Sequence, residues 1–288
     1  MKAELELKQS AALGEGPFWD EESRQLYWVN IDGKQLNQYD PTKKENRAID
    51  FTKRVCAVVK REAGGLLLAL EDGLYTYDND SLTPVVQPEL GEGDRFNDGK
   101  CDPAGRFWAG TMSTKGVKEK YALYCLDVNQ RTFEQKVTSV TISNGLAWDQ
   151  ERAKMYYIDT PTQIISAYDY NESTGAISNR TVSYSFANKQ GSPDGMAIDQ
   201  EGMLWVALWG GWGVARINPL SGEWIDTVEV PAAQVTSCAF GGEDYQTLFI
   251  TTAATGLNEE QREEQKLAGS LFSVRTEVRG SKPHLYKG

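Results

Sequence analysis

Apolar positions in this chain gather into short runs, each entered through a turn rich in Asp, Glu, Gly and Pro. Examples are Gln25-Leu26-Tyr27-Trp28-Val29, Arg106-Phe107-Trp108-Ala109-Gly110 and Met203-Leu204-Trp205-Val206-Ala207. The turns before the last two read Asp102-Pro103-Ala104-Gly105 and Asp199-Gln200-Glu201-Gly202, and another short strand precedes each turn. Short apolar runs bounded by such turns predict β-strands. Aligned on the run, the anchors Trp28, Leu68, Trp108, Tyr157, Trp205 and Phe249 stand 40, 40, 49, 48 and 44 residues apart. A 3.6-residue period is almost absent, which excludes a helical solenoid, and a β-sandwich has no reason to repeat one phrase six times.

Six phrases in 288 residues leave each repeat room for four short strands, the unit of a propeller blade. The predicted fold is therefore all-β: a six-bladed β-propeller of four-stranded antiparallel blades, with residues 1–288 as one domain. Blade one runs from about Gly14 to Asp50, and blades two to five end near Gln87, Ser139, Phe186 and Glu229. Residues 3–8 alternate but have no phrase before them. They are predicted to close the last blade, beside Gly269-Ser270-Leu271-Phe272-Ser273-Val274, and so to remove an open sheet edge. The one long charged insertion, residues 254–268, is read as a short helix, a mobile flap or a solvated loop.

Charge narrows the partners. A net charge of −11 and a pI of about 4.8 argue against nucleic acid and anionic membranes, both of which require cationic neutralisation, and suit a cation site. No signal-peptide pattern opens the chain, no apolar run is long enough to span a bilayer, and nothing marks an obligate protein partner. Cys56, Cys101, Cys125 and Cys238 show no CxxC spacing and read as reduced, buried thiols of a cytoplasmic protein.

The first strand of a blade is innermost and starts at one face of the disc. Counting back from the anchors places Glu15, Cys56, Asn97, Asn144, Asp194 and Ser237 around the channel at that face. Two carboxylates and one or two carboxamides converging there are oxygen ligands for a hard divalent cation, Ca²⁺ or Mg²⁺; Mn²⁺ is possible too, and Zn²⁺ less suited. A polar plug hydrogen-bonded to buried water is the alternative, just as Asp194, between Pro193 and Gly195, could be an ordinary turn aspartate. Loops returning to the same face bring Trp209 and Trp212, as pocket walls or as rim packing. The only histidine, His284, lies near the carboxyl end, so a Ser-His-Asp triad has no plausible centre. Metal-assisted ester or lactone hydrolysis fits what remains, with a carboxylate such as Asp194 taking the proton. Arg95 either donates to a polar substrate or forms a surface ion pair with Asp94 or Glu92.

The phrases Leu13-Gly14-Glu15-Gly16-Pro17, Arg95-Phe96-Asn97-Asp98-Gly99-Lys100, Ile142-Ser143-Asn144-Gly145-Leu146 and Pro193-Asp194-Gly195-Met196, in this order, resemble the SMP-30/gluconolactonase/regucalcin family along essentially the whole chain. The resemblance implies a cation, Ca²⁺ first, held by Glu15, Asn144 and Asp194. It implies substrate contacts from Arg95 and Asn97, a small-molecule lactone substrate, and Asp194 as general base as well as ligand. Some animal members carry a substrate-contacting glutamate where this chain reads Ser113-Thr114-Lys115; Lys115 reverses the charge there. Two alternatives stay open: hydrolysis of other esters or organophosphates at the same site, and a non-catalytic Ca²⁺-binding propeller.

Overall fold

A computed structural model describes residues 1–127 and 132–288. Six four-stranded antiparallel sheets form the molecule. Their first strands are Gly14–Asp20, Val55–Lys60, Asp94–Cys101, Ser143–Asp149, Ser192–Ile198 and Val235–Gly241. Each first strand touches the first strand of the next sheet, and the sixth touches the first, so the ring closes. The chain is a six-bladed β-propeller, with the blade boundaries the repeat predicted.

The anchor strands lie between neighbouring sheets and are apolar on both sides for that reason; Leu66–Leu70 is buried throughout. Aromatic pairs join the blades. Trp108 meets Trp148 edge-on at 5.8 Å, Trp205 meets Phe240 at 5.5 Å, and Trp19 stacks on Phe249 at 5.7 Å, geometries that add to simple area burial. The turn aspartates explain why the phrase recurs. Asp102 Oδ2 accepts from Trp108 Nε1 at 2.9 Å, and Asp199 Oδ2 accepts from Trp205 Nε1 at 2.9 Å. Each turn thus locks the tryptophan of the strand it leads into, and Arg106 and Arg216 neutralise the two buried carboxylates.

Every first strand carries a bulge in its pairing with the second strand. Asn97 and Asp98 share the place opposite Gly110, and Asn144-Gly145 and Asp194-Gly195 do the same in blades four and five. Blade one bulges at Gly16-Pro17, blade two at Cys56 and blade six at Thr236. A bulge re-aims its side chains out of the strict in–out alternation. The glycines after Asn144 and Asp194 exist for the neighbouring blade. A Cβ on Gly145 would lie 2.7 Å from the Asp194 carbonyl oxygen, and one on Gly195 would lie 2.1 Å from Ser237 Oγ.

The ring is closed as predicted: Glu4–Leu7 pairs antiparallel with Leu271–Arg275 at the edge of blade six. The insertion holds a short helix, Glu259–Glu264, started by a capping box between Asn258 and Gln261. All four cysteines are free and buried. The last residues cross the end of the ring opposite the first-strand openings. Ser281 N donates to Ile198 O at 3.0 Å and Tyr286 N to Lys60 O at 2.9 Å. Among the described residues no helix is long and apolar enough to cross a membrane.

Candidate metal centre and active site

At the face where the first strands begin, a cavity of ≈ 270 Å³ opens on the ring axis. Glu15, Asn97, Asn144 and Asp194 line it, together with Arg95; all five are buried. The structure therefore brings together every site residue expected from the sequence. Cys56 and Ser237 complete the counted ring but do not open onto the cavity. The Cys56 thiol is buried, which pushes its pKa up to about 12, and Ser237 packs against Gly195. Trp209 is a wall of the cavity, whereas Trp212 is 40 % exposed and outside the lining.

The two carboxamides are held in one orientation. Asn97 Nδ2 donates to Asn144 Oδ1 at 3.0 Å and to Ser143 O at 2.8 Å. Asn144 Nδ2 donates to Thr160 Oγ1 at 2.8 Å, and Thr160 Oγ1 in turn donates to Pro193 O at 2.7 Å. Arg95 Nη1 donates to Asn97 Oδ1 at 2.6 Å and to Phe96 O at 2.8 Å. Arg95 thus faces the cavity and is not paired with Asp94 or Glu92. Asp94 accepts from the Tyr121 hydroxyl, and Glu92 pairs with Lys115 at 3.2 Å.

Electrostatics at the hub are unbalanced. Burial, then the Asp98 charge, raises the Glu15 carboxyl to about 8. Burial, then the charges of Glu15 and Asp98, pushes Asp194 well above the ordinary carboxylate range. Asp98 is itself raised by burial, against the opposing Lys100 charge and the Gly99 N–H. Below it Lys100 Nζ donates to Leu146 O at 3.0 Å and Met196 O at 2.6 Å, and burial lowers its pKa. Three buried carboxyl groups thus face two cationic side chains.

A divalent cation fits this set. Asp194 Oδ1 is buried without a hydrogen-bond partner, and the available donors on Glu15, Asn144 and Asp194 are all oxygen, as Ca²⁺ and Mg²⁺ prefer. Among the described residues no group of three or more His, Cys, Asp and Glu side chains is placed to hold a metal; the candidate set relies on a carboxamide as its third member. The SMP-30/gluconolactonase/LRE-like family model matches residues 13–254, which span every residue of this cavity except Thr255. The chain belongs to this family. It is 47 % identical to YvrE of Bacillus subtilis (strain 168), whose name proposes a sugar lactone lactonase, over 100 % of this chain and 99 % of the relative. It is 40 % identical to the regucalcin of Danio rerio, again over 100 % and 99 %. The solved structure of a calcium-binding protein, regucalcin, from Agrobacterium tumefaciens superposes with a TM-score of 0.94 at 26 % identity, covering 100 % of this chain and 98 % of that one.

Within this family member, the third hub carboxylate, Asp98, is the residue that sequence reasoning missed. Strict alternation sends it to the side opposite Asn97, but both share one bulge, and the Asp98 charge acts on Glu15 and Asp194. Leu13, Met112, Ile142, Thr160, Ser192 and Thr255 also line the cavity. His284 lies beside a separate cavity at the other end of the channel, consistent with its exclusion from the chemistry.

Proposed function

We propose that this protein hydrolyses a small hydroxylated lactone with one divalent cation, Ca²⁺ first, held by Glu15, Asn144 and Asp194. The observation carrying this reading is the buried, unpartnered Asp194 Oδ1 in a cavity shared with Glu15 and Asn144. When bound, the cation would act as a Lewis acid toward the lactone carbonyl. Asp194 accepts the proton of the attacking water at a carboxylate oxygen, since no histidine is within reach. Arg95, whose Nε has no partner, donates to an oxygen of the substrate. Asn97 orients Asn144 through its 3.0 Å bond to Oδ1. The names of the relatives, a proposed sugar lactone lactonase among them, agree with a ring-ester substrate.

A pH-stat screen of γ- and δ-lactones with added Ca²⁺, Mg²⁺, Mn²⁺ or Zn²⁺ tests the reading. Asp194→Asn is the control: at saturating cation, turnover is expected to fall by about 10²–10⁴-fold, because an amide ligates but accepts no proton. The solved relative from Agrobacterium, described as a calcium-binding protein, favours, as second reading, a propeller that binds the ion without catalysis. Cation binding with no turnover of any lactone would select that second reading.

A further inference from the structure

The cavity has two storeys of different chemistry. Its floor is Glu15, Asn97, Asn144 and Asp194, all polar. Two residues outward along the same strands stand Leu13, Arg95, Ile142 and Ser192. Alternation returns them to the channel side, about 6–7 Å nearer solvent, and all four line the cavity. The ends of the second strands add Met112 and Trp209 at this outer level.

Three of these large apolar side chains have no role in the core. Met112, Ile142 and Trp209 are half-buried and belong to none of the apolar clusters that stabilise the blades. Met112 and Ile142 are adjacent, joined by a backbone bridge between blades three and four. The polar groups nearby are largely engaged. Thr160 Oγ1 is bonded on both sides, Ser192 Oγ accepts from Gln163 Nε2 at 2.9 Å, and Arg95 Nη1 is held by two acceptors. Lys115, the one charge the sequence offered for this rim, is exposed, bonded to Glu92 and absent from the lining. A substrate hydroxyl turned onto the side chains of Met112 and Ile142 loses its water and gains no hydrogen bond from either, which is unfavourable; an alkyl carbon in the same place gains, while Arg95 Nε remains for an oxygen of the ring.

We propose that the substrate is a lactone of divided polarity. Its carbonyl and the oxygens beside it face the polar floor, and its far substituent is a short apolar group, alkyl or deoxy, lying on Met112 and Ile142 with Trp209 also in reach. A cavity of ≈ 270 Å³ lies below the range of drug-sized pockets, so the ring is small and the chain short. The inference rests on the lactone-hydrolase reading for its chemistry, but not for its test.

Values of kcat/KM are compared for glucono-δ-lactone, δ-valerolactone and δ-lactones bearing methyl, ethyl and propyl groups next to the ring oxygen. At roughly three- to fourfold per buried methylene, reduced by partial exposure, the propyl compound is expected to exceed δ-valerolactone by on the order of tenfold, and to exceed glucono-δ-lactone as well. Met112→Gln and Ile142→Asn should each collapse that ratio. A higher kcat/KM for glucono-δ-lactone, or a ratio unchanged in both variants, overturns the inference. If no lactone is hydrolysed, the hydrolase reading fails by itself. Calorimetric binding of 2-piperidone against its 6-propyl derivative then decides: tighter binding of the propyl compound, lost in Met112→Gln, sustains the inference, and equal binding overturns it.

Discussion

Raising the pH of the metal-free protein should destabilise it, and Glu15 sets the size of the effect. Its carboxyl is moved from 4.5 to about 8, first by burial and then by the Asp98 charge. Between those values the native state holds a proton that the unfolded state has released. Stability therefore falls with rising pH: the contribution is complete below the unfolded pKa and lost through the folded one. At about 1.4 kcal/mol per pKa unit, the group accounts for on the order of 5 kcal/mol between about pH 4.5 and about pH 8. For a chain of this size, at about 2–4 °C per kcal/mol, that is a fall in Tm on the order of 10 °C. Thermal melts by circular dichroism in chelator, from about pH 5 to about pH 9, compare wild type with Glu15→Gln. The half-buried His284, lowered by desolvation, shifts stability in the opposite sense but is common to both proteins and cancels in the difference. Asp98 and Asp194 shift in the same sense as Glu15, so the variant keeps a smaller decline. Saturating Ca²⁺ should flatten the wild-type profile, because an ion favours ionised carboxylates. Equal declines in wild type and Glu15→Gln, or a wild-type decline untouched by Ca²⁺, would refute this electrostatic account of the hub.

Two further substitutions separate positioning from packing. Asn97→Ala removes the donor to Asn144 Oδ1 and Ser143 O; cation affinity measured by calorimetry should weaken about 10–100-fold, as for other groups that orient a ligand, and an unchanged affinity would remove Asn97 from the ligand scaffold. Gly195→Ala drives a methyl into Ser237 Oγ, 2.1 Å away; denaturant unfolding should register a loss of about 1–3 kcal/mol, recovered in part by Ser237→Gly, and no loss would mean that the blades are not in contact there.

How far the sequence could be read follows from which physics was local. The blades were legible because each anchor strand is packed between two sheets and had to be apolar, and because a buried turn aspartate such as Asp199 recurs to hold the next tryptophan. The hub was legible because a ligand-type residue followed by glycine recurs where neighbouring first strands meet, at Asn144-Gly145 and Asp194-Gly195. Counting from the anchors put Cys56 and Ser237 on the ring, but it could not tell that neither opens onto the cavity. In those blades the bulge falls at Cys56 itself and at Thr236, and residue numbers alone do not say which side chain a bulge turns inward. Asp98 was missed for the same reason. The direction of Lys115 depends on its pairing with Glu92 across a turn, and the apolar upper wall joins residues of different blades; both are tertiary facts without a local signature.

The central claim is that Glu15, Asn144 and Asp194 grip one ion on the ring axis. Difference density from a Ca²⁺-soaked crystal tests it most directly. The account predicts a single peak at roughly 2.3–2.6 Å from a side-chain oxygen of each of the three residues. A peak bound elsewhere, with only water among these three side chains, would contradict it.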